Sequence, residues 1–384
     1  MTDRPVYLDN HATTQVDPRV VDVMLPLFAT HYGNAASTSH DMGLDASDVV
    51  ETAREKIGLA IGAGLREIVF TSGATEANNI AIKGVLRSRG KDSHLIVNAA
   101  EHKAVLDPAS RLRREGFGVT VLPVDEHACI DAESIASAIR PETVLVSVML
   151  VNNEVGSINS VREITDVCGE RGVLVHCDAS QAFGKMPLDV RDLGVDLLSL
   201  SAHKAYGPKG VGILFVKESE PAIRIEPLVH GGGHENGLRS GTLPVPLIAG
   251  FGAAARLAVD ELEEETARIR KLRDKLWQGL KNACPDLILN GHPECRAAGN
   301  LNVSVPNVDG DVLITEIEDI AVSAGSACTT AEPEPSHVLR AIGRSSELAR
   351  ASIRFGVGRF NTADDIRTAI RATVSAIERA RSQV

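Results

Sequence analysis

The sequence predicts an α/β fold: a mostly parallel central sheet with helices on both faces, joined to a smaller α+β part. Two observations carry that reading. Short apolar runs alternate with helix-period stretches from about residue 67 to 216, the order that a chain of β-α-β units requires. After about residue 244 the alternation stops, and a long charge-rich helical stretch gives way to short scattered strands. A chain of 384 residues can form one large and one small domain. The expected domains are 15–255 for the large one and 1–14 with 256–384 for the small one.

Taken in order, 45–61 reads as an amphipathic helix with Ile57 and Ile61 on one face. Strand 67–70, the turn 71–73 and helical 76–86 follow. Next come strand 94–97, a helix near 104–115, strand 119–122 and a helix near 132–139. Strand 144–149, helix 161–169 and strands 173–176, 195–200 and 211–216 complete the series. Uninterrupted apolar runs such as 144–151 suit strands buried on both faces. Beyond 244, residues 247–280 read as one long helix with Trp277 as a packing anchor. Strands at 287–289, 301–305 and 353–355 and helices near 311–318 and from 362 onward finish the chain, with no internal repeat.

A formal net charge of −11 argues against nucleic acid or an anionic membrane as the main partner. No apolar run approaches bilayer length, and no apolar segment after Met1 resembles a signal peptide, so a cytoplasmic location is expected. The six cysteines, Cys129, Cys168, Cys177, Cys284, Cys295 and Cys328, form no Cys-x-x-Cys pair. That pattern suggests neither a metal site nor a disulfide framework. Cys328 stands apart, because the small polar residues of 323–329 and the Ala-Glu-Pro-Glu-Pro of 331–335 have the composition of an exposed loop.

Ligands on such sheets sit beyond the carboxyl ends of the strands. Lys204 follows the 195–200 run among small residues, where desolvation would let its amine act as a nucleophile or Schiff-base partner. Asp178 lies just past another apolar run. An acid and a lysine beyond neighbouring strands are what a pyridoxal phosphate site needs. The acid keeps the pyridine nitrogen protonated, and the lysine holds the aldehyde. His102, past a third strand, supplies an imidazole able to stack on the ring and exchange protons. The turn 71–75 precedes a helix, so its amides and hydroxyls suit a phosphate. Each feature alone also has a plainer reading, as a solvated lysine, a helix cap or an ordinary turn.

Together with further stretches, these residues resemble the cysteine desulfurases of the IscS/NifS branch. That branch belongs to the class V aminotransferase superfamily, of pyridoxal-phosphate fold type I. The matching stretches are 7–14, 70–76, 101–106, 151–154, 176–181, 201–204, 231–235, 239–242, 323–329 and 352–356, nearly the whole chain. The resemblance implies pyridoxal 5'-phosphate as cofactor and conversion of L-cysteine to L-alanine. The sulfur would be held as a persulfide on Cys328 for iron–sulfur cluster assembly or for tRNA or cofactor thiolation. It further implies that Lys204 binds the cofactor aldehyde and moves the substrate's Cα proton, and that Asp178 pairs with the ring nitrogen. Gln181 would bond the ring hydroxyl, and His102 would stack on the ring as acid/base. Ala74, Thr75, Ser201 and His203 would hold the phosphate, with Thr242 arriving from the other subunit of a homodimer. Asn153 and Arg354 would hold the substrate, and a sulfur-acceptor protein is the implied partner. Alternative readings are a selenocysteine lyase, a desulfurase dedicated to one pathway such as DNA phosphorothioation, or a catalytically silent carrier subunit. Residues 34–37 carry alanine where the family commonly shows proline, and the sequence ends at Val384 without the tail that IscS-type members use to dock a scaffold.

Overall fold

The structure, a computed structural model, describes residues 4–324 and 334–383. In chain order its strands are β1 (Val6–Tyr7), β2 (Ile68–Thr71), β3 (His94–Asn98), β4 (Gly118–Leu122), β5 (Thr143–Met149), β6 (Leu174–Asp178) and β7 (Leu197–Ser201). They continue with β8 (Gly212–Val216), β9 (Ile288–Asn290), β10 (Asn300–Ser304), β11 (Ile320–Ala321), β12 (Ser323–Ala324) and β13 (Ser352–Gly356). A seven-stranded sheet has the order β2-β8-β7-β6-β5-β3-β4. It is parallel throughout except for β8, which runs antiparallel to both β2 and β7.

The two-residue period of a strand explains why the central runs are apolar without a break. Ile96, Val146, Val148, Leu198 and Leu200 pack into a core on one face of the sheet. Their neighbours Leu95, Val97, Leu145 and Leu197 enter a separate core on the other face. Each face is covered by helices, so neither can be polar.

A four-stranded antiparallel sheet, β12-β13-β10-β9, carries a further core of Leu272, Leu276, Leu301, Val303, Ile353, Phe355 and Ile377. Helices Leu262–Ala283 and Ala363–Arg381 supply part of it, and Trp277 packs at its margin. β1 pairs with β11, which brings the N-terminal segment beside this sheet.

The single helix expected over 247–280 is in fact two, Val245–Asp260 and Leu262–Ala283. Two different burial tasks explain the break. The first helix is rich in small residues and packs closely on helix Asp41–Ile61; a Cβ on Gly252 would stand 2.7 Å from Ala53 Cα. The second is charged and turns its apolar stripe to the small sheet. Glu261 sits at the junction and pairs with Arg19. Helix Pro18–Ala29 was not anticipated, although Asp17 caps it and Pro18 occupies its first turn, the usual start signals.

His176 lies fully buried in β6, 2.8 Å from Ser147 Oγ and 2.9 Å from Ser199 Oγ. Burial lowers its pKa from 6.5 to about 4. The unfolded chain therefore binds a proton that the folded chain refuses, and stability present above pH 6.5 is lost as pH falls toward 4. The expected loss from this group in cofactor-free protein is on the order of 3 kcal/mol. Denaturant titration at stepped pH checks it, with His176→Gln reducing the slope across that window.

Candidate active site

The carboxyl ends of β2, β3, β5, β6 and β7 open on a cleft of about 740 Å³. β7 ends at Ser201 and one tight turn, Ala202–Lys204, swings Lys204 into it. Lys204 Nζ donates to the carbonyls of His11 and Ala12, each at 2.8 Å. Desolvation first, and then the charge of Arg354, lower its pKa from 10.5 to about 8, against the opposing pull of Asp178 and Asp9. A useful share of the amine is thus unprotonated near neutrality.

Asp178, the last residue of β6, is buried at the cleft floor. Oδ2 accepts from Asn78 Nδ2 at 2.7 Å, and Oδ1 accepts from the Ser180 amide at 3.0 Å and hydroxyl at 2.6 Å. The plainer reading of Asp178 as a helix cap does not hold, since the residues after it form a turn rather than a helix. Gln181 Nε2 donates to the His11 carbonyl at 2.8 Å, while its Oε1 accepts from Lys185 Nζ at 2.9 Å.

His102 caps helix Lys103–Arg114, its Nδ1 accepting from the Ala104 amide at 3.0 Å. That bond places the proton of the neutral ring on Nε2. Desolvation, the largest cause, holds its pKa below 6.5. His203 lies 3.1 Å from Thr13 Oγ1, and burial followed by the charge of Lys204 pushes it down to about 4. It is therefore neutral at pH 7 and can offer a hydrogen bond but no charge.

Ala74 and Thr75 begin helix Ala74–Asn79, whose first amides have no intrahelical partner. Gly73 holds φ at 150°, and a Cβ there would stand 3.5 Å from Ser201 Oγ in the same corner. Arg354 enters from β13 of the small sheet. Its Nη1 donates to the Asn153 carbonyl at 3.0 Å and its Nη2 to Asp9 Oδ1 and Ser323 Oγ at 2.8 Å.

Ten of the residues singled out in the sequence line this one cleft: Ala74, Thr75, His102, Asn153, Asp178, Gln181, Ser201, His203, Lys204 and Arg354. Thr242 is exposed and is not part of its own chain's cleft lining. Cys328 lies outside the described residues. Sequence reasoning missed His11, Asn78 and Ser180, although the first belongs to the 7–14 stretch and the second follows the phosphate turn.

Residues 6–368 match the family described as aminotransferase class-V. The chain belongs to that family. Among its relatives is the cysteine desulfurase IscS of Rickettsia bellii (strain OSU 85-389). The two are 49% identical over 378 residues, 98% of this chain and 92% of that protein. A solved NifS-like protein superimposes with a TM-score of 0.90 at 38% identity, covering 99% of this chain and all of that one. A structure titled SspA in complex with cysteine gives a TM-score of 0.82 at 35% identity, over 93% of this chain and all of that one.

Class-V members depend on pyridoxal phosphate, and the cleft suits it. Seven buried polar side-chain atoms have no partner among the described residues. Four of them belong to the cleft: His11 Nε2, Asn78 Oδ1, Asn153 Oδ1 and Arg354 Nε. A site holding spare donors and acceptors beside a desolvated amine, a buried acid and free helix amides fits a polar, anionic, aldehyde-bearing ligand.

Proposed function

We propose that the protein is a cysteine desulfurase that converts L-cysteine to L-alanine and takes the sulfur as a persulfide on Cys328. The observation that carries this reading is the convergence of Lys204, Asp178, His102 and Arg354 on one cleft, in a chain whose relatives bear that name. Pyridoxal phosphate, when bound, supplies an electron sink for the bonds at the substrate's Cα. Lys204 would provide the amine that holds the aldehyde and would move the Cα proton of the substrate. Asp178 would pair with the ring nitrogen. Gln181, whose carbonyl accepts from Lys185, would bond the ring hydroxyl through its amide. His102 would serve as acid/base at the ring through its Nε2–H, and Ala74, Thr75, Ser201 and His203 would hold the phosphate. For the substrate, one C–S bond breaks, one S–S bond forms to Cys328, and the carbon gains a proton to become the methyl of alanine.

The assignment of 15–255 as the cofactor-binding domain, with 1–14 and 256–384 as the small domain, belongs to the same proposal. Separate cores under the two sheets support it, and Arg354 then reaches the cleft across the seam. A homodimer would let Thr242 complete the phosphate site of a second copy. The exposed apolar side chains of Leu25, Phe28 and Tyr32 favour such a partner. No helix among the described residues is long and apolar enough to cross a membrane. The sulfur then passes to an acceptor protein.

Arg354 Nε is buried and unpartnered, poised for the substrate carboxylate. Arg354→Leu should lower kcat/KM for L-cysteine on the order of a hundredfold. Steady-state kinetics measures that loss, and the visible spectrum verifies intact cofactor loading. The function itself is tested with purified protein, pyridoxal phosphate, L-cysteine and a reductant, assayed for sulfide and alanine. Absence of alanine would refute it.

A further inference from the structure

The residue before His102 is a buried acid, Glu101, bonded to the amide of the cleft residue Met149, and the proposed reaction gives it no part. It is completely buried, and its carboxyl forms no ion pair among the described residues. Oε1 accepts from the Met149 amide at 2.8 Å and from Asn98 Nδ2, while Oε2 has no partner among the described residues. Met149 is the register partner of Asp178 across β5 and β6. The two acids thus follow β3 and β6, the strands on either side of β5, and sit in very different surroundings. Asp178 receives three hydrogen bonds spread over both oxygens, whereas Glu101 receives two on one oxygen and none on the other. The groups bearing on Glu101 are Asp178 and the buried Cys177 of β6, with the His337 ring 2.8 Å from its own backbone carbonyl. None of them offers its carboxyl a positive charge by direct contact.

An ionised carboxylate is retained in such a place only when paired, and beside another carboxylate the less solvated of the two keeps its proton. We propose that Glu101 is an un-ionised carboxylic acid, a positioning residue that ties the 98–102 turn to β5 and so fixes His102 over the cleft. Burial, the largest cause, and then the charge of Asp178 push its pKa well above 4.5, in the same direction. The turn is braced from both ends, since Asn98 Oδ1 accepts from the Ala100 amide at 2.9 Å and His102 caps the next helix. The proposal rests on His102 acting at the cofactor ring, and that reading fails separately if His102→Ala keeps full activity.

Glutamine is the isostere of a protonated glutamate. Infrared difference spectra at pH 7.5 of cofactor-free wild type and Glu101→Gln should show the carbonyl stretch of an un-ionised carboxyl in wild type and its loss in the variant. In the loaded enzyme, Glu101→Gln should keep the wild-type pH profile of the visible band and a kcat within about twofold of wild type. Glu101→Ala and Glu101→Asp should lose at least tenfold in kcat. A carboxylate stretch in place of the carboxyl one, or a displaced pH profile in Glu101→Gln, would overturn the un-ionised assignment. Full kcat in Glu101→Asp or Glu101→Ala would overturn the positioning role.

Discussion

Lys204→Ala is expected to yield a folded protein with no visible Schiff-base band and no measurable alanine from L-cysteine, a loss of roughly 10³-fold or more. The size of the effect follows from how the amine is held. Two main-chain carbonyls take its hydrogens, and neither compensates a positive charge as a carboxylate would. Desolvation and Arg354 then bring its pKa to about 8. The reactive form is the free amine, so the rate of cofactor attachment to cofactor-free wild type should rise with pH up to about 8 and level off above it. Geometry gives no neighbouring lysine the place to rescue the variant. Lys185 is also lowered, to about 7, but its Nζ is engaged with Gln181 and it does not line the cleft. Lys209 does line it but has no part in this hydrogen-bonded arrangement. Absorbance spectra and an alanine assay test the expectation. A variant that still forms the band would move the Schiff base to another lysine.

What the sequence disclosed, and what it hid, follow from range. Strand–helix alternation is local, so the seven-stranded sheet could be read from apolar runs, and residues at strand ends such as Asp178 and Lys204 stood out by position. The family resemblance added residues with no local signature, among them Gln181 and Arg354. Contacts between distant segments were not legible. Nothing in 7–14 announces that the His11 carbonyl would accept from Lys204, 193 residues away. Nor does composition reveal that Asp9 pairs with Arg354, because residues 8–10 meet the end of β13 only in the folded chain, through a bridge between Asp9 and Gly356. The break at Glu261 was hidden for a related reason: helical periodicity continues through it, and only the two different surfaces being covered make the chain turn.

Cys328→Ser should bind cofactor with an unchanged spectrum yet form alanine from L-cysteine at a rate lower on the order of 10³-fold or more, with no labelled sulfur retained on the protein. Elimination supports the thiol first. Cys168, Cys177 and Cys284 are buried, and Cys129 is pushed up to about 11 by burial. Cys295 is exposed, but none of these five lines the cleft. Connectivity supports it second. Ser323, in β12, bonds both Asp9 and Arg354 at 2.8 Å, so β12 lies beside the arginine proposed to hold the substrate carboxylate. Further on, Ser336 bonds Glu154, and His337 Nε2 meets the Glu101 carbonyl at 2.8 Å. Both attachments adjoin cleft residues, Asn153 on one side and His102 on the other. Alanine formation at the wild-type rate by Cys328→Ser would mean that sulfur leaves L-cysteine without this thiol, and the persulfide carrier would have to be abandoned while the roles of Lys204 and Asp178 stood.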